Sequence, residues 1–583
     1  MMRPQSRPAR SLASGTIITI ALQIYRQAGN RYFLISLIAH AWFFLIGLGL
    51  VVGGLIFGVV GAVFIAGNQG NFGIVLGLLI LLLGLGLPLF GFGLARFTAS
   101  GGLLSRLIFN ALQDSTEDEA EVRRFIYPRL WSYLWTVLGT GLILLFIYLA
   151  WAAFGYLLYL GFWPLINSLD WGNMSEAWRT ALILIILLLL LGVILAAMVT
   201  VSYVAARLSL VDAVLAIEPE LTAMEAIQRS WRLTQGQAWH TLTVFFIASI
   251  LVIPANLAAS LINAVMVIPV AGFFAAVLLL PVWQGIKAVM YYDLRVRNEG
   301  LSFRLQATIP SPMRFMRRVI LQTPESIELD FALAGIGSRA LAWVVDQVIL
   351  YVGLLILAII VGYLYFYGIY PFLLEQFPNG DQSYNLWALG IYLLINYFIY
   401  NGYYIYFESA WQGQTPGKRL AEIRVVQDNG KPIGVREAAL RSFLQAIDIP
   451  FFGIGVFLVA LTPSEKRLGD MVAGTLVIQD EQATRNAPTG QTISLVAREL
   501  APLIQNLPGL GGLQPDHYLL VRNFLLNRQQ LKPAGRFETS QRLHHSLQEL
   551  LFVQEDIPSE LAQASAEEFI EAVYLAYRQQ QHS

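Results

Sequence analysis

The chain contains no cysteine, which excludes disulfides, thiol nucleophiles and thiolate metal ligands. Charged residues are also scarce: they make up 13% of the 583 residues, whereas 56% are hydrophobic. The mean hydropathy of +0.60 is too high for a soluble protein with one anchor. The composition therefore predicts an integral membrane protein whose main partner is the lipid bilayer.

The sequence also lacks the short motifs on which common catalytic sites depend. It has no phosphate-binding glycine loop, no nucleophile elbow, no pair of metal ligands at helical spacing and no nucleic-acid-binding motif. The adjacent His544 and His545 would point to different faces of a helix, which is typical of solvated side chains rather than of a metal site. We expect neither enzymatic activity nor a cofactor, metal or nucleic-acid partner.

Six long apolar segments in the first half predict six membrane-spanning helices. They occupy residues 33–66, 72–94, 131–163, 181–204, 243–261 and 265–292. Arginines lie before the first segment and after the sixth, and such residues accumulate on the cytoplasmic side of membranes. We predict a six-helix membrane domain (1–310), a basic cytoplasmic linker (311–326), a second membrane domain (327–480) and a cytosolic helical tail (481–583).

The first helix of the second membrane domain carries two charges in an apolar stretch. Arg339 and Asp346 are seven residues apart, close to two helical turns, so both side chains leave the helix on nearly the same face. A charge near the centre of a spanning helix costs roughly 2.5–3.5 kcal/mol on insertion scales. Asp346 is therefore expected to face protein or water and to have a partner.

The last apolar segment, residues 438–461, is interrupted by Asp448, Pro450, Gly453 and Gly455. A single spanning helix would place the basic residues on its two sides across the membrane from each other. A re-entrant helical hairpin keeps them together, along with two strand-like segments, 421–427 and 474–479, that are too short to be stable unless they pair. We predict the hairpin and a small cytoplasmic β element.

Several motifs in residues 327–480 resemble the RDD family of bacterial membrane domains, named for one arginine and two aspartates. Arg339 and Asp346 match the first two letters, and Asp470 matches the third, with Asp448 as a second candidate for the less fixed aspartate. The other matching residues are Gly413, Gln414, Thr415, Pro416, Gly417, Lys418, Arg441 and Arg467. The expected fold is an all-α polytopic membrane protein with about eight transmembrane helices, the re-entrant hairpin, the small β element and the helical tail. We expect it in the cell (inner) membrane, with both termini cytoplasmic.

Two functions remain open: transport of an ion or small solute, and a non-transporting scaffold. The resemblance implies sodium–proton exchange in some members, and buried carboxylates can exchange a proton for a cation. In that case Asp346 and either Asp448 or Glu408 bind a proton or monovalent cation, while Arg339 sets the electrostatics of a polar cluster that includes Asp470. Alternatively, an arginine–aspartate pair only orients helices. The protein is then a non-transporting scaffold that recruits a cytosolic partner through its tail.

Overall fold

The computed structural model describes most of the chain. The described residues are 12–66, 72–113, 115, 117–168, 174–266, 270–299, 312–322, 328–376, 383–448, 455, 458–459, 462, 464–480, 494–505, 507, 509–510, 513, 515–528, 531, 533–552 and 558–580.

The apolar runs form long helices, because a helix satisfies its own backbone hydrogen bonds where water is absent. Seven stretches of the described chain are long and apolar enough to cross a membrane. They are Gly29–Val60, Gly84–Gln113, Glu119–Pro164, Trp178–Ile217, Ala238–Val265, Val270–Glu299 and Ile336–Leu373. The predicted fold class, an all-α polytopic membrane protein, is confirmed.

Ten helices precede residue 300 in the described chain. They are α1 (Ser14–Gln27), α2 (Gly29–Ala66), α3 (Phe72–Gln113), α4 (Glu119–Ile126), α5 (Leu130–Ser168), α6 (Glu176–Leu208), α7 (Val211–Ile217), α8 (Ala223–Leu233), α9 (Ala238–Met266) and α10 (Val270–Glu299). Two carboxylates on these helices have cationic partners, as groups of low solvent exposure require. The fully buried Asp293 accepts from Arg297 at 2.7 Å, and Lys287 contacts Asp212 at 2.7 Å.

The later helices and strands form the second half of the chain. The helices are α11 (Ile336–Leu364), α12 (Tyr370–Gln376), α13 (Ser383–Ala410), α14 (Pro416–Leu420), α15 (Val435–Asp448), α16 (Leu468–Ala473), α17 (Leu495–Gln505), α18 (Pro515–Asn527), α19 (Pro533–Leu551), α20 (Ser559–Ala562) and α21 (Ala566–Gln580). The strands are β1 (Arg318–Gln322), β2 (Glu328–Ala332), β3 (Ile423–Gln427) and β4 (Thr475–Gln479). The break of the predicted hairpin, after residue 448, lies mostly outside the described residues.

Helix α13 is a further long helix and agrees with the expected number of about eight transmembrane helices. Its 28 residues are sufficient to cross a bilayer. Its tyrosines and asparagines make it less apolar than the seven stretches given above, and it is not one of them. Leu386 and Trp387 are nevertheless more than two-thirds exposed, as lipid-facing side chains are.

The two strand-like segments pair as predicted. β3 and β4 are antiparallel, with Ile423 opposite Gln479 and Gln427 opposite Thr475. β1 and β2 form a second antiparallel pair, and Leu333 bridges from it to Ile478 of β4. The pairing brings residues 423–427 and 475–479 together although 47 residues separate the two strands.

The chain divides into two compact units. One comprises Met1–Gln23, Phe246–Gly272 and Glu299–Ser583, and the other comprises Ile24–Phe245 and Phe273–Asn298. These divisions fall inside helices and do not test the predicted domain boundaries, which stay a prediction.

Helix α1 packs against the start of α11 within the first unit. Its apolar side chains Ile17, Ile18 and Ile20 are buried. A Cβ atom added to Gly15 would lie 2.4 Å from the Cα atom of Ser338, so the two backbones are in close contact. Polar contacts accompany this packing, because Gln23 donates to Glu465 at 2.5 Å. The first ten residues of α1 are therefore packed inside this unit.

The C-terminal tail is helical, as predicted, and has its own apolar core. Buried side chains from α17, α18, α19 and α21 contribute to it, among them Leu500, Phe524, Leu547 and Phe569. Arg528 and Arg536 pair with Glu567 at 3.3 and 2.5 Å at the edge of this core.

Candidate functional site

The carboxylate of Asp346 is enclosed by neutral hydrogen-bond donors. It lies in the third turn of α11 and is 1% exposed. It accepts from the Thr415 hydroxyl at 2.6 Å, the Tyr403 hydroxyl at 2.7 Å and the Gly417 backbone N–H at 2.8 Å. Within the described part of the chain no lysine or arginine forms an ion pair with it. We call Asp346, Tyr403, Thr415 and Gly417 the Asp346 site.

The glycine-containing loop before α14 has the backbone geometry that this site requires. Gly413 has a φ of +89°, and an added Cβ would lie 2.0 Å from the Val425 carbonyl oxygen. Thr415 caps α14 by accepting from Lys418 N–H at 3.2 Å, and Pro416 occupies the first helical turn, where its missing N–H costs nothing. An added Cβ on Gly417 would lie 2.1 Å from the Ala342 carbonyl oxygen. Only glycine lets α14 approach α11 so closely.

Arg339 pairs with Asp470 rather than with Asp346. Its Nη1 donates to Asp470 Oδ2 at 2.6 Å, and its Nε donates to the Ala334 carbonyl. Asp470 is fully buried and also accepts from Arg441 and, at 3.3 Å, from Arg467. Burial acts to raise the pKa of Asp470, but the three guanidinium groups hold the pKa well below its usual range.

A second buried carboxylate extends this network. Glu408, at the end of α13, accepts from Arg441 Nε at 3.2 Å and from the Lys418 ammonium. Burial lowers the pKa of Lys418, while Glu408 acts in the opposite direction. The ion-pair cluster thus consists of Arg339, Asp470, Arg441, Arg467, Glu408 and Lys418. Lys418 directly follows Gly417, so one loop joins this cluster to the Asp346 site.

The structure brings together most of the residues singled out in the sequence. Arg339, Glu408 and Asp470 lie in the ion-pair cluster, together with the motif residues Lys418, Arg441 and Arg467. Gln414 donates to Asp480 at 2.9 Å and fixes the loop to the end of β4. Glu408 belongs to the ion-pair cluster, and in the described part of the chain no hydrogen bond joins it to Asp346. Asp448 ends α15, and its side chain lies outside the described residues.

Sequence reasoning missed the tyrosine face of α13. Tyr403 donates to Asp346, and Tyr400 and Tyr404 accept from Gln347 Nε2 at 2.9 and 3.3 Å. The signal was present, because three tyrosines at positions i, i+3 and i+4 place hydroxyls on one side of a spanning helix. Among the residues that the structure describes, no group of three or more acidic or histidine side chains is placed to hold a metal ion.

The chain has long apolar helices and a buried polar site where α11, α13 and α14 meet. Together these features define a polytopic membrane protein. Residues 333–474 match the model of the RDD family, which confirms the resemblance of this part of the chain. The match includes Arg339, Asp346 and Asp470. No curated protein and no solved structure matches the chain.

Proposed function

We propose that the region that resembles the RDD family exchanges a proton for a monovalent cation at Asp346. One observation supports this above others: among the described residues, no lysine or arginine pairs with the buried carboxylate of Asp346, whereas the carboxylates of Asp470 and Glu408 are both paired. An ionised carboxylate without a counter-charge is costly in an apolar helix. A bound proton or cation would remove that cost.

The neighbouring groups suit both occupants. A hydroxyl group carries one donor and two acceptor lone pairs. The Thr415 and Tyr403 hydroxyls can donate to the carboxylate or turn their oxygen lone pairs towards a cation held by it. Two carboxylate oxygens and two hydroxyl oxygens form an all-oxygen ligand set, which hard cations prefer. Cation entry then requires that one proton leave Asp346, so each turnover exchanges one positive charge for another.

The test is cation-dependent pH change in everted vesicles that contain the intact protein. Asp346→Asn should abolish the exchange, because the amide can neither release a proton nor supply a negative charge. Asp428→Asn is the matched control: Asp428 is half exposed and pairs with Lys466 in the same domain. Thr415→Ser should retain exchange and Thr415→Val should impair it. Equal exchange by wild type and Asp346→Asn at matched expression would refute the proposal.

A second function is favoured by the saturation of Asp346. Its three hydrogen-bond donors hold the α14 loop and α13 against α11, which is what a purely structural contact would do. The protein would then be a scaffold whose helical tail recruits a partner. Phe537 of α19 is 65% exposed and is the natural contact to test. Absence of exchange in the wild type, with a partner that is lost in Phe537→Ser, would favour this function.

A further inference from the structure

The ion-pair cluster contains more positive than negative groups. Arg339 contacts Asp470, which contacts Arg441. Arg441 contacts Glu408, which contacts Lys418. These five residues are three cations and two carboxylates. Arg467 adds a further contact to Asp470. With Arg467, the ion-pair cluster holds four cationic groups and two carboxylates, so these six residues carry two formal positive charges in excess. An uncompensated buried charge is unfavourable, and an anion would compensate it.

Arg339 provides a donor for such an anion. Two of its nitrogens donate, to Ala334 and to Asp470, whereas Nη2 is buried and has no hydrogen-bond partner among the described residues. A guanidinium has donors only, so no rotation of the group can convert this N–H into an acceptor. A buried donor without an acceptor costs about 1–3 kcal/mol.

The position of Arg339 indicates the class of anion. It is the fourth residue of α11, so it lies at the end of a spanning helix, at the depth of lipid headgroups. The Arg339 side chain is 14% exposed and that of Arg467 is 20% exposed, so the cluster is partly accessible. Guanidinium groups bind phosphate oxygens with good geometry. We propose that Arg339 and the ion-pair cluster bind a phosphate monoester or diester, presented by an anionic lipid.

Thermal unfolding of the purified full chain in neutral detergent tests this, with stepwise addition of phosphatidylglycerol or phosphatidylcholine. We expect saturable stabilisation by phosphatidylglycerol beyond that by phosphatidylcholine. Glycerol 3-phosphate and inorganic phosphate are tested in parallel. Saturable stabilisation by these soluble ions as well would show the same phosphate site with a soluble source. Equal responses to both lipids, with no response to soluble phosphate, would overturn the proposal.

Two variants assign the effect to Arg339. Arg339→Lys keeps the charge but removes the guanidinium, and should raise the half-saturating lipid concentration by about tenfold, the loss expected for one charge-assisted hydrogen bond. Arg424→Gln is the matched control, because Arg424 pairs with Asp480 in the same domain and is 24% exposed. Native mass spectrometry counts the retained lipids independently of stability. Unchanged lipid affinity in Arg339→Lys, or an equal loss in Arg424→Gln, would overturn the assignment. The outcome is independent of exchange at Asp346.

Discussion

Arg339 donates to Asp470, 131 residues away, at 2.6 Å, and not to Asp346, which lies two turns along its own helix. The arginine and one aspartate of the family motif therefore pair with each other within the ion-pair cluster. The other aspartate, Asp346, is separated from this pair, and its donors among the residues that the structure describes are all neutral. The motif residues thus have two structural roles. Arg339 and Asp470 belong to a charged cluster that connects distant segments, and Asp346 is a carboxylate that the described neighbours hold with neutral donors.

Arg441 is predicted to be the most sensitive cation of the cluster. It is 1% exposed and contacts both Asp470 and Glu408. Arg441→Met should lower the free energy of unfolding by about 3–5 kcal/mol, because it leaves two buried carboxylates short of a partner. Thermal unfolding of the purified protein measures this. The partly exposed Arg424, changed to Met, should cost about 0–1 kcal/mol. Similar losses in both variants would contradict the prediction.

Gly417 is predicted to tolerate no side chain. The Cβ of Gly417→Ala would lie 2.1 Å from the Ala342 carbonyl oxygen and 2.8 Å from Asp346 Cγ. We expect a loss of about 1–3 kcal/mol, as for other overpacked sites, together with loss of exchange. Gly353→Ala, in the spanning helix α11, has open space and is the control. A Gly417→Ala protein as stable and active as Gly353→Ala would show that the close approach of α14 to α11 is not required.

Helix α1 is predicted to need Gly15 for docking. In Gly15→Leu the side chain would overlap the backbone of Ser338, so α1 should leave its position and its amides should exchange faster with deuterium. Hydrogen exchange of the full chain, followed by mass spectrometry, detects this. Gly29→Leu has open space around it and should leave α1 protected. Full protection of α1 in Gly15→Leu would contradict the observed packing.

The tail is predicted to lose stability as the pH falls, through one of two adjacent histidines. Burial, and then the neighbouring His545, lower the pKa of His544 below its usual 6.5. The folded tail thus disfavours the charged imidazole, so the contribution of neutral His544 is present above pH 6.5 and is lost as the pH falls through the lowered folded-state pKa.

Hydrogen exchange of α19 and α21 at pH 7.5 and 5.5, corrected for intrinsic rates, checks this. His544→Gln should remove this part of the pH dependence. The exposed His545, changed to Gln, serves as the control and should leave most of it. An unchanged pH response in His544→Gln would exclude the mechanism.

Much of the fold was predictable because its determinants are local. Six apolar segments, the helix with Arg339 and Asp346, the paired strands β3 and β4 and the helical tail all follow from hydropathy, residue period and turn signals. The role of α1 was not predictable, because its weak amphipathic pattern does not show which surface it covers. The close contact of Gly15 with Ser338 depends on segments more than 300 residues apart.

The sequence by itself determined the class of protein and the site residues Asp346, Thr415 and Gly417, but not Tyr403, since hydropathy and motif residues can be read along the chain. Only the tertiary structure decided which charges are partners. Helical spacing places Arg339 and Asp346 on one face, but an ion pair requires atoms within a few ångströms, and Asp470 meets that condition through the packing of α16 against α15 and β4. The packing instead gives Asp346 neutral donors, Thr415 and Gly417 from the α14 loop and Tyr403 from α13.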